Sequence, residues 1–208
     1  MESISTIRQK ILRVLSTEPY KFIEKIDSPS IEIHEDNAKA SLSKIIVENI
    51  NYESSVDSFW LIHLEKDIPG FTPKSKTVEK ALIHIQEKIL AIYLIEMKSS
   101  IKHDIKKSVL NQIKEKIQDT ISRFYTLSMH NNSFYDGFDD LEVKFKGVIF
   151  YRQRLKTEVS ENSKIYQIFT DTNQEGLLEC ETILGLKKIP VKFFHCQDET
   201  TTVDFNKI

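Results

Sequence analysis

The chain has 208 residues, a mass of 24.3 kDa and a formal net charge of −2, with 40% hydrophobic and 29% charged residues. Those values suit one folded domain and exclude a globally basic protein that coats nucleic acid. Five glycines, with no Walker A, G-x-G-x-x-G or G-x-S-x-G pattern, exclude the usual nucleotide-cradling loops and the serine-hydrolase elbow.

In chain order, Ser3 or Ser5 can cap a first helix whose apolar positions are Ile4, Ile7, Ile11, Leu12 and Leu15. Pro19 breaks it, Asp27-Ser28-Pro29-Ser30 reads as a turn, and Ile31–His34 alternates as a short strand does. Leu42–Ile50 suits a strand or a helix. Val56–Leu64, centred on Phe59, Trp60, Leu61 and Ile62, reads as a strand. Asp67–Pro73 is a loop, and Val78, Ala81, Leu82 and Ile85 predict a short helix over Thr77–Lys88. The run Ile89–Met97 is a strand. After it, Ile101, Ile105, Val109, Ile113, Ile117, Ile121 and Tyr125 recur every fourth residue and predict a long helix from Lys102 to Met129. A polar loop over Asn131–Asp140 precedes strands at Phe145–Tyr151, Ile165–Thr170 and Ile189–His195, the last expected in the chain. The order predicts a mixed α/β fold with a central mixed sheet flanked by helices. Residues 1–155 form its core, and 156–208 a strand-rich extension packed on the same domain.

Charge is unevenly spread. From Lys98 to Lys116 six lysines face Asp104 and Glu115, a local net of +4, whereas Thr157–Ile208 holds nine acids and five bases, a net of −4. A phosphate-facing surface is therefore expected on the central part of the chain, at Lys102, Lys106 and Lys107, with His103, Lys114 and Lys116 beside them. The acidic C-terminal part suits a protein partner. Cys180 and Cys196 lack metal-ligand spacing and read as reduced thiols. The six histidines are scattered; His63 lies at an even offset from Asp57 on one predicted strand, hence on the same face. No apolar run reaches the ~18–20 residues that cross a bilayer, and Met1-Glu2-Ser3 begins no signal-peptide pattern. A cytoplasmic location and no membrane association are expected.

The segment Ala91-Ile92-Tyr93-Leu94-Ile95-Glu96-Met97-Lys98 carries the chemistry. On a strand Glu96 and Lys98 point to one side, and two ionisable groups ending an apolar run are costly to bury without a purpose. This arrangement resembles the E-x-K half of the PD-(D/E)xK nuclease superfamily, over roughly Glu48–Tyr151. The resemblance implies a restriction-endonuclease-like core and a Mg²⁺- or Mn²⁺-dependent nuclease acting on DNA or RNA. It also implies a defence or mobile-element setting and a homodimer. Asp57 and Glu96 would bind metal, and Lys98 would assist the attacking water. Asp57 begins its strand as Val56-Asp57, where the family often has Pro-Asp, and its distance from Glu96 in sequence requires 65–88 to be an insertion. Asp67, Glu53 and Glu48 stand in reserve as acids.

The triplet recurs as Asp104-Ile105-Lys106 and Glu142-Val143-Lys144, so three residues alone specify little. Other readings are a non-catalytic nucleic-acid- or protein-binding regulator and a hydrolase of a small phosphorylated molecule.

Overall fold

The computed structural model describes residues 23–35, 37, 40–51, 58–64, 76–86, 89–102, 109–129, 142–155, 175–182 and 185–208. The expected N-terminal helix, the loops at 67–73 and 131–140 and the strand at 165–170 lie outside them.

Strands β1 (Ile23–Ile26), β4 (Ser58–His63), β5 (Lys80–Gln86), β6 (Ile89–Lys102), β7 (Glu142–Leu155), β8 (Glu175–Thr182) and β9 (Gly185–His195) build a seven-stranded sheet in the order β1-β4-β5-β6-β7-β9-β8. Strands β2 (Ile31–His34), β3 (Lys44–Glu48) and β10 (Thr200–Asp204) build a second sheet in the order β10-β3-β2. Helix α1 (Val109–Met129) crosses from β6 to β7, which pair in parallel, as a crossover connection requires. The protein is thus mixed α/β, mostly strand, with a large mixed sheet and one helix among the described residues. That helix is not long and apolar enough to cross a membrane.

Each face of the large sheet buries its own core. Trp60, Ile83, Ile92, Ile149, Val191 and Phe193 pack with Ile113, Ile117, Ile121 and Phe124 of α1. Phe59, Leu82, Ile95, Val148 and Phe150 pack with Ile33, Ile45, Val47 and Val203 of the small sheet. The sequence leads one to expect a sheet flanked by helices; among the described residues α1 covers one face and the small sheet is packed on the other.

The structure corrects the helix predicted over Thr77–Lys88. Residues 80–85 are all buried and form the central strand β5, antiparallel to both β4 and β6. A strand covered on both faces loses its alternation, and its apolar run then mimics a helical stripe. The long helix begins at Val109, because β6 runs on to Lys102. Strands β8 and β10 lie beyond those predicted. They carry the C-terminal region into both sheets, so Ile189–His195 is not the last strand.

Gly147 lets the helix approach. A Cβ there would stand 2.8 Å from Val191 Cγ2 and 3.1 Å from Ile117 Cδ1. Any side chain would wedge α1 and β9 away from β7.

Candidate active site

Three elements bring charge together where the β5–β6 ladder stops, just before β5 begins and midway along β6. Lys80 pairs with Ile95, so the next step of the antiparallel register sets Glu79 opposite Glu96. The even-numbered residues Leu90, Ile92 and Leu94 of β6 pack in the core under α1, and Glu96 and Lys98 continue that face. From α1, Lys116 lies one turn from Ile113 and beside Ile117, so its side chain reaches the same place. Lys116 Nζ lies 2.6 Å from Glu96 Oε1, and Lys98 Nζ contacts the same oxygen.

Glu79 is held just before β5 by bonds to its neighbours. Val78 N–H donates to Thr120 Oγ1 at 2.9 Å, and that hydroxyl donates to the Lys116 carbonyl at 2.7 Å. One threonine therefore ties the approach to Glu79 to the helical turn carrying Lys116. Glu79 Oε2 accepts from Met97 N–H at 2.9 Å.

Burial decides the electrostatics. Glu96 has a side-chain exposure of 0%, against 26% for Lys98 and 19% for Lys116. Burial, the facing charge of Glu96 and the nearby Glu35 push the Glu79 carboxyl up to about 9, so it holds a proton at neutral pH. Burial alone would lower Lys98, but the charge and hydrogen bond of Glu96 outweigh it and hold the ammonium above the ordinary lysine value. Lys98 is consequently a cation and hydrogen-bond donor, not a base.

Glu96 Oε2 is buried without a hydrogen-bond partner, an expensive condition for a carboxylate oxygen. The residues fit a divalent cation on this count and on a second. Burial first, and the facing charge of Glu96 second, keep a proton on Glu79, and an oxygen-seeking cation between the two carboxylates would relieve both costs. Among the described residues no group of three or more His, Cys, Asp or Glu is placed to hold a metal ion. A divalent ion at this place would have Glu79 and Glu96 as its carboxylates and would need water to complete its shell, as Mg²⁺ ordinarily permits.

The structure places the sequence candidates unevenly. Glu96 and Lys98 meet as expected. Asp57, Glu53, Asp67, Lys106 and Lys107 lie outside the described residues. Lys102 ends β6, its backbone opposite Leu155. Glu48 is exposed at the end of β3 in the small sheet, opposite Asp204. His63 Nε2 lies 3.1 Å from Glu24 Oε1, across β1 and β4. The direct pairing of the Asp57 strand with the Glu96 strand is not observed, because β5 lies between β4 and β6.

Sequence reasoning passed over Glu79 although Val78-Glu79 leads an apolar run, the signal of an acid entering a strand. Reading that run as a helix hid it. Lys116 was taken as part of a phosphate-facing surface, whereas it turns inward to Glu96.

A separate cavity of about 340 Å³ lies at the other end of β5, lined by His84, Gln86, Tyr93, Lys146 and Phe205 among others. It has no carboxylate side chain in its lining. Compared with family models, curated proteins and solved structures, the chain matches none.

Proposed function

We propose that the chain is a Mg²⁺-dependent nuclease of the PD-(D/E)xK kind, hydrolysing phosphodiester bonds of DNA or RNA. The observation that carries this reading is the meeting of Glu79, Glu96 and Lys98 where the β5–β6 ladder stops, with a buried oxygen of Glu96 left unbonded. The surrounding order supports it. Three successive antiparallel strands, β4, β5 and β6, are followed by α1 and a strand parallel to β6, as in the superfamily core. Glu79 takes the role of the upstream acid in place of Asp57.

In the reaction a water oxygen bonds to phosphorus and the bridging P–O bond breaks. The leaving oxygen takes a proton, giving a terminal phosphate and a free hydroxyl. A divalent cation supplies charge neutralisation at the phosphate and a more acidic water. Glu79 and Glu96 would hold that ion, with Glu79 giving up its proton to do so. Lys98, kept protonated by Glu96, donates hydrogen bonds to the water or to a phosphate oxygen and stabilises the charge that develops there. Lys102, Lys106 and Lys107 would supply phosphate contacts along the same segment.

The test is cleavage of mixed DNA and RNA substrates with Mg²⁺ or Mn²⁺, comparing wild type with Glu96→Gln, Glu79→Gln and Lys98→Ala. Metal-dependent cutting that all three substitutions abolish is the expected result. Wild-type protein that binds nucleic acid but never cuts, with variants binding equally well, would sink the enzyme reading in favour of a regulator.

A further inference from the structure

Glu96 is the most enclosed charged side chain of the cluster, with no exposed surface, while the two lysines on its Oε1 retain some. Both ammonium groups stand on the same oxygen of this buried carboxylate. The lysines differ in what holds them. Lys98 stands on β6, whose backbone pairs with Tyr151 of β7, and its side chain needs only to cover the span to the next residue on its own face. Lys116 reaches across from a different element, through four methylene carbons with rotatable bonds. Its backbone is fixed by the Thr120 hydrogen bond, so its ammonium can leave without displacing the helix.

We infer that Lys116 is a built-in occupant of the divalent-cation site, its ammonium standing on Glu96 until the ion replaces it. This deepens the proposed nuclease reading and rests on it, since the site must bind a metal for Lys116 to compete. Lys116 is a positioning residue in this account. It compensates the buried Glu96 in the metal-free protein, sets a threshold on metal affinity, and swings away when the ion is taken up. The arrangement answers a cost that the reading otherwise leaves: a carboxylate pair preorganised for a cation is a poor thing to bury empty. A resident ammonium supplies the missing charge from within the chain.

The test is Mn²⁺ binding to the whole protein, followed by the loss of the free-ion paramagnetic signal, for wild type, Lys116→Met, Lys116→Arg and Glu96→Gln. Methionine keeps the apolar stem of lysine and removes its charge. Lys116→Met should bind Mn²⁺ at least about tenfold more tightly than wild type, because a competing charge within contact distance has gone. Lys116→Arg should stay near wild type, and Glu96→Gln should lose the site. If Lys116→Met does not fold, Lys116→Gln makes the same comparison. Wild type that loses Mn²⁺ in Glu96→Gln, while the neutral Lys116 variant binds equally or more weakly, would overturn the competition and leave the metal site standing. Mn²⁺ binding that is absent throughout, or indifferent to Glu96→Gln, would overturn the metal site itself and the competition with it.

Discussion

Strands β6 and β7 lie side by side in parallel, and each carries the same triplet, Glu-x-Lys, midway along the ladder on β6 and at its start on β7. On β6, Glu96 is fully buried, faces Glu79 and is touched by two lysines. On β7, Glu142 and Lys144 are 3.1 Å apart with side-chain exposures of 64% and 52%. One spacing therefore gives two different physical objects. The exposed pair is solvated, screened by salt and of little consequence. The buried cluster perturbs its neighbours and leaves an oxygen unbonded. What separates them is the lid: α1 lies over the β6 triplet, and β5 brings a second carboxylate to it.

The largest effect that would sharpen this contrast is on activity. Glu96→Gln should cut metal-dependent cleavage by about 10²–10³-fold, the scale expected when a group organising developing charge is removed. Glu142→Gln in the same assay should leave the rate unchanged. Equal losses in both would erase the distinction.

The next effect is on stability beside the cluster. Gly147→Ala forces a methyl against Val191 and Ile117 and should cost about 1–3 kcal/mol, read from urea midpoints. A pH-dependent effect belongs to Glu79. Its folded value near 9 lies above the ~4.3 of an unfolded glutamate, so between those limits the folded protein holds a proton that the unfolded chain releases. Its contribution is full below about pH 4.5 and is lost as pH rises toward 9. Melting temperatures between pH 5 and 9 should fall more steeply for wild type than for Glu79→Gln; parallel curves would refute the shift. Smallest of all, Glu142→Ala should change stability by less than about 0.5 kcal/mol.

The same contrast shows how much was legible in the sequence. Strands β2, β4, β6 and β7 and the helix after β6 were readable because each presents a clear period or a β-branched, aromatic run. Glu96 and Lys98 were readable because charge ending an apolar strand breaks a pattern. Glu79 was not, since β5 is buried on both faces and loses the alternation that marks a strand. Val78, Ala81, Leu82 and Ile85 fit a helical stripe only while Ile83 and His84 are ignored, and both are buried. Lys116 was not legible as a partner of Glu96 for another reason. Which lysine of a basic helix turns inward depends on how α1 sits on the sheet, and Gly147, thirty-one residues further on, helps to set that.

The unequal lengths of β5 and β6 have a consequence of their own. The β5–β6 ladder stops at Lys80 opposite Ile95, while β6 runs on to Lys102 paired with β7 on its other side. Among the described residues no strand pairs with that flank of the last part of β6, and an unpaired flank is the usual origin of edge-to-edge aggregation. Side chains stand in for the missing strand. Glu79 accepts from Met97 N–H, and Ser41 donates to the Ser99 carbonyl through its hydroxyl at 3.3 Å and to Ser99 Oγ through its amide at 2.9 Å. Glu79 therefore occupies a backbone donor beyond the end of the ladder, and a variant that shortens it would leave Met97 N–H without that acceptor.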